Sequence, residues 1–246
     1  DAQESRGLGD VYKRQISYYT IASSIVMLIA SVLSGAINVS IPRLGYYLGK
    51  KDFHSYKYLV NQGASLFFFL MIPTSIGIMV LGTYATVIYS SEKYIEAGIV
   101  TSVFAFRTII WAIELILGKQ IIFINDHENR LTAFYFIGGG VNVILNSLLL
   151  FNNIFTPAYY IGTTIIAEAI VVLLEIRFIQ KHKLLDLKEI FGTLARYTIV
   201  SLGFIPIYYI SKIFFHVDSY TVNMNMISMV VSTICLLYTS PSPRDS

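Results

Sequence analysis

The chain has 246 residues, of which 55% are hydrophobic and only 13% charged, with a formal net charge of +3. Soluble domains carry about 25% charged residues, so this composition, with a mean hydropathy of +0.63, excludes an ordinary water-facing surface. The positive charges fall in short loops between apolar runs, which excludes a nucleic-acid-binding patch.

The head DAQESRGLGDVYKRQ, residues 1–15, is polar, and the tail from 235 to 246 ends in YTSPSPRDS. Both differ in composition from what lies between them. The strings DVYKRQ and LLYTSPSPRDS resemble translated sequencing adapters, and foreign scars are excluded from fold reasoning. The expected authentic part is therefore a membrane domain over 16–234. The alternative is an ordinary disordered tail.

Residues 16–42, 58–91, 131–167 and 219–243 contain no Asp, Glu, Lys or Arg. A helix needs roughly 20 apolar residues to cross a bilayer core. Hydropathy places seven spans at about 16–41, 61–89, 98–122, 131–151, 157–179, 194–215 and 221–238. Long apolar runs rather than short alternating strands predict an all-α polytopic bundle, since each lipid-exposed backbone must satisfy its own hydrogen bonds. Pro73, inside the second span, predicts a kink.

Positive charges alternate from loop to loop. One set holds Arg43, Lys50, Lys51 and Lys57, then Lys119 and Arg130, then Arg177, Lys181, Lys183, Lys188 and Arg196. The other set holds Lys93 and Lys212 alone. The positive-inside rule puts the rich side in the cytoplasm, so the Ile16 end lies outside and the authentic C-terminus inside. Lys181 to Glu189 reads either as a surface helix with Leu184, Leu185, Leu187 and Ile190 resting on lipid or as a plain solvated linker.

Ionisable groups within a span cost several kcal/mol and usually face a cavity or a partner. The third span carries Arg107, Trp111 and Glu114 on one helix face, and the fifth carries Glu168 and Glu175, seven apart on another. Arg107 and Glu168 lie at similar depth, which predicts that they pair across a shared aqueous cavity. Two readings stand side by side: Arg107 as a contact for an anionic substrate group with Glu114 or Glu168 in ion coupling, or a structural ion pair. Glu175, beside Arg177, is expected to snorkel toward the inner boundary. Asn142 and Asn146, following Gly138, Gly139 and Gly140, read as helix packing through small residues and amide hydrogen bonds. Tyr18, Tyr19, Tyr84, Tyr89, Tyr159 and Tyr160 fall at span ends and suggest an interfacial belt.

Catalytic chemistry has little support. Cys235 is the single cysteine, so no internal disulfide is possible, and His54, His127, His182 and His216 are scattered. There is no metal-ligand cluster, Gly-rich phosphate loop, nucleophile elbow or zinc-binding helix motif. No enzyme activity, metal or cofactor is expected.

The stretch from SYYTIASS to GIMVL has an apolar span, an IPRL turn, a GKKDF basic loop and an IPTSIGIMVL helix. With LILGKQIIFINDHENRLTAFYFIGGGVNVILNSLLL, it resembles the oligosaccharide flippases of the multidrug/oligosaccharidyl-lipid/polysaccharide export superfamily, the superfamily that also holds the MATE transporters. The resemblance implies two six-helix lobes with added C-terminal helices, and makes this chain helices eight to fourteen, lacking the N-terminal lobe. It implies export of a lipid-linked oligosaccharide across a bacterial inner membrane, for cell-surface polysaccharide, by alternating access. The expected partners are that lipid-linked substrate, the bilayer, the missing lobe and a proton or sodium gradient. Three alternatives stand: a purely structural membrane subunit, a drug or cation antiporter of the same superfamily using Glu168, and a membrane-embedded glycan polymerase or acyltransferase. The last would want a large outer loop with catalytic Arg or His residues, and the outer loops here are short.

Overall fold

A computed structural model describes residues 2–214. All the regular structure among them is helical. In chain order the elements are α1 (Ala2–Gly49), α2 (Phe53–Tyr89), a single 3-10 turn (Glu92–Tyr94), α3 (Ala97–Leu115), a π-helical segment (Ile116–Phe123), α4 (Glu128–Phe151), α5 (Pro157–His182), α6 (Lys188–Leu202) and α7 (Phe204–Phe214). Four stretches are long and apolar enough to cross a membrane: Phe53–Tyr89, Ala97–Phe123, Glu128–Phe151 and Lys188–Phe214. The predicted first and fifth spans lie inside α1 and α5. The seventh, 221–238, lies outside the described residues, as do His216 and Cys235.

The boundaries differ from expectation at two places. First, α1 does not turn at IPRL but runs through Pro42 to Gly49, and it already begins at Ala2, within the polar head. Second, no surface helix spans Lys181–Glu189. Instead α5 ends at His182, Lys183 takes a left-handed cap (φ 52°), and α6 starts at Lys188. Leu187 and Ile190 are buried in the main core, with Leu184 and Leu185 packed against it. Three leucine side chains and one isoleucine hold this connection down on the bundle.

Residue contacts show consecutive helices running back and forth. Near one end, Tyr18 Oη donates to Glu96 at 2.7 Å, joining the early parts of α1 and α3. Near the other, Gln120 Nε2 donates to Ser40 Oγ at 2.8 Å and Tyr56 Oη donates to the Gln120 carbonyl at 3.1 Å. At this second end Asn125 Nδ2 donates to Tyr56 Oη at 3.1 Å, and Lys57 pairs with Glu189 at 3.0 Å. The loops rich in Lys and Arg thus gather at one end. Asp52 caps α2 by accepting the Ser55 N–H at 3.0 Å, and these hydrogen bonds hold its carboxyl below the ordinary range.

The core follows the helix order. A main cluster joins α2, α3 and the π segment to the end of α1, α5 and α6 around Phe68, Met71, Ile116, Leu117 and Ile179. A smaller one near the opposite end gathers Tyr18, Ala22, Val26, Phe104 and Ile161. Outside these clusters the bundle shows apolar side chains, with Phe136 78% and Phe151 80% exposed on α4. Such a surface belongs in hydrocarbon, where it costs nothing to expose. The aromatic belt is only partial: Tyr19, Tyr89 and Tyr159 are exposed, whereas Tyr18 and Tyr84 are buried within the bundle.

Candidate functional site

The charges carried by α3 and α5 meet inside the bundle. Arg107 Nε donates to both Glu168 oxygens at 3.0 Å, and its Nη2 donates to Oε1 as well. The side chains are 27% and 15% exposed. A guanidinium fork on a carboxylate is among the strongest side-chain pairings, because both charges keep directed hydrogen bonds after losing water. Nη1 makes no hydrogen bond among the described residues and remains able to donate to a further acceptor.

Trp111, one turn on, is half-buried and packs against the main core. Glu114, a turn further, is half-buried, and the Tyr135 hydroxyl of α4 lies beside the next turn, 3.1 Å from where a Cβ of Gly118 would stand. Sequence spacing placed Arg107, Trp111 and Glu114 on one face, but it gave no sign of Tyr135, whose hydroxyl reaches across from a ring that is 41% exposed.

Glu175 is where the structure departs most from expectation. It does not snorkel: it is 0% exposed, and neither carboxyl oxygen has a hydrogen-bond partner. Arg177, two residues on, points outward and is exposed. The reason lies in the π segment. A Cβ at Gly118 would stand 2.8 Å from Glu175 Oε1 and 3.1 Å from Tyr135 Oη, so only glycine leaves room for the carboxyl. Glu114 and Gly118 are four apart, which was the one available signal, but the change from α to π winding at Ile116 sets which face Gly118 presents.

Asn142 and Asn146 join α4 to α5. Asn142 Nδ2 donates to Thr164 Oγ1 at 3.1 Å, Asn146 Nδ2 to Asn142 Oδ1 at 2.6 Å, and Thr163 Oγ1 to Asn146 Oδ1 at 2.6 Å. Of the three glycines before them, only Gly138 meets a neighbour: its Cβ would lie 2.5 Å from Val171 Cγ2, whereas Gly139 and Gly140 face open space. Close approach therefore rests on one glycine rather than three. Gly138→Ala should destabilise the bundle by about 1–3 kcal/mol, while Gly139→Ala should be neutral or stabilise by up to about 1 kcal/mol through helix propensity. Denaturation in lipid nanodiscs would separate them, and equal effects would count against this packing.

Sequence separation also hid a pair of histidines. His127, before α4, and His182, ending α5, lie with ring centroids 5.7 Å apart, both against Phe178. Two cavities open elsewhere. One of about 570 Å³ is lined by Lys13, Arg14, Tyr18, Lys93 and Glu96, and one of about 360 Å³ by Asn61, Glu189, Thr193 and Arg196. Neither includes the Arg107–Glu168 pair.

Apolar helices, polar cross-links and an ion pair held between two spans define a multi-pass membrane bundle. Its fold is similar to that of a solved lipid II flippase, MurJ in an inward closed conformation: TM-score 0.67, 16% identity, covering 92% of this chain and 46% of that one. The chain therefore spans about half the length of that protein. No family model and no curated protein sequence matches the chain, so the likeness is one of shape.

Proposed function

We propose that this chain forms the C-terminal lobe of a transporter that flips a lipid-linked oligosaccharide across a bacterial inner membrane. The observation that carries this reading is the fold: nearly the whole chain superposes on about half of a lipid II flippase. Within it, Arg107 supplies a cation already held inside the membrane by Glu168, with its Nη1 donors left over for a phosphate oxygen of the substrate. The second lobe comes from the same protein, and the two lobes move against each other to expose the substrate site alternately. The loop charges orient the Ile16 end outward and the authentic C-terminus inward. Segments 1–15 and 235–246 are read as foreign to the authentic chain. The product would serve cell-surface polysaccharide synthesis.

The antiporter alternative loses support from the pairing, since a carboxylate already held by Arg107 is a poor site for a transported cation. The polymerase or acyltransferase alternative finds no outer loop to house its chemistry among the described residues: the connections there are Ser90–Glu96 and Asn152–Thr156.

The test is a flipping assay. The chain, joined to its upstream reading frame, is reconstituted in liposomes with a fluorescent undecaprenyl-diphosphate oligosaccharide. Transbilayer movement of that lipid, without movement of ethidium, is the expected result. Movement of ethidium alone would replace this reading with the antiporter.

A further inference from the structure

Glu175 is a fully buried carboxyl that bonds to nothing, in a span where every other buried polar cluster found partners. Its surroundings explain why an ionised form would be costly. From the π segment it meets Gly118, which has no side chain to donate, and the Tyr135 hydroxyl of α4 borders the same gap without bonding to it. Glu114, one helical turn before Gly118, adds a second acid rather than a counter-ion. Arg107 holds Glu168 instead, and Lys119 Nζ donates to Asn38 Oδ1 at 3.3 Å. Arg177 on the same helix faces outward. A carboxylate without donor or counter-ion in a membrane interior is strongly disfavoured, so the site must carry a positive species. A bound metal ion would want several oxygen ligands at once, and no group of three or more His, Cys, Asp or Glu side chains is placed to hold one among the described residues.

We propose that Glu175, with Glu114 and Tyr135, is a proton-binding site built around the π-helical segment. With α5 seated on Gly118, the Glu175 carboxyl is shut from water and holds its proton. When α5 separates from the π segment, water reaches the carboxyl, the O–H bond breaks, and the proton passes to water, leaving a carboxylate that resists reseating. π-helical turns are uncommon and frequently mark functional positions. Here the winding presents a glycine to an acid. Use of this cycle to drive transport rests on the flippase reading, whereas the proton on Glu175 does not.

The experiment is infrared spectroscopy of the full chain in lipid nanodiscs at neutral pH, reading the C=O stretch of protonated carboxylic acids. The expected result is a band that is lost in Glu175→Gln and kept in Glu168→Gln. A spectrum without such a band, or a band untouched by Glu175→Gln, overturns the proposal. Folding of the variant is itself informative. Glutamine is a neutral near-isostere of the protonated acid, so Glu175→Gln should purify and melt close to the native chain. Failure to fold would mean that the native group is an ionised one, and would overturn the proposal too. Because the measurement reads a proton on the isolated chain, it succeeds or fails independently of the flipping assay.

Discussion

Arg107→Ala is expected to destabilise the folded bundle by about 3–5 kcal/mol, the cost of leaving one member of a buried ion pair charged and alone. The pair sits 27% and 15% exposed, so the lower part of that range is the better expectation. Glu168→Gln should cost a similar amount by stranding the guanidinium. Removing both charges, as Arg107→Ala with Glu168→Gln, should recover much of the loss, because neither charge then remains unpaired. A double-mutant cycle by denaturation in lipid nanodiscs measures this directly, and strictly additive effects would sink the pairing as an energetic unit. Arg107→Lys is the informative intermediate. It keeps the charge but not the fork that reaches both Glu168 oxygens. If the leftover Nη1 donors contact a substrate phosphate, Arg107→Lys should lower flipping more than it lowers stability.

Gly82→Ala should be as damaging, for a steric reason. Its Cβ would stand 2.3 Å from Ser102 Oγ, 2.8 Å from the Gly98 carbonyl and 3.1 Å from the Ser102 amide. A hydroxyl can rotate away, but two backbone atoms of α3 cannot. Gly98 faces back in the same way, with Thr83 Cα only 2.5 Å from where its Cβ would be. The two glycines let α2 and α3 touch backbone to backbone near the end that carries few positive charges. Beside them Thr86 and Thr101 share a hydrogen bond at 2.9 Å. Membrane helices gain little from hydrophobic burial against one another and depend on such close contact. We expect a loss of about 3 kcal/mol for Gly82→Ala, and no loss for Gly162→Ala, whose Cβ would meet nothing. Thermal unfolding in matched nanodiscs compares the two. An unchanged melting point for Gly82→Ala would show that the helices do not meet this tightly.

The sequence alone determined the class of molecule and the position of most helices. Too few charges for a water-facing surface, long uncharged runs and alternating basic loops leave a helical membrane bundle as the only solution that satisfies every backbone polar group. Depth along two spans was enough to bring Arg107 and Glu168 together, since helices of fixed rise carry residues to calculable heights. Depth does not tell which side of a helix faces a neighbour, and that is what only the tertiary structure decided. Glu175 is buried rather than snorkelling because a π turn aims Gly118 at it. Gly82 and Gly98 matter, and Gly139 and Gly140 do not, because of how the helices are rotated against each other. Tyr84 is buried and Tyr89 exposed on one helix for the same reason. Apolar residues surround every span, so hydropathy carries almost no rotational information in a membrane: lipid and protein interior look alike to a leucine, and only side-chain packing separates them.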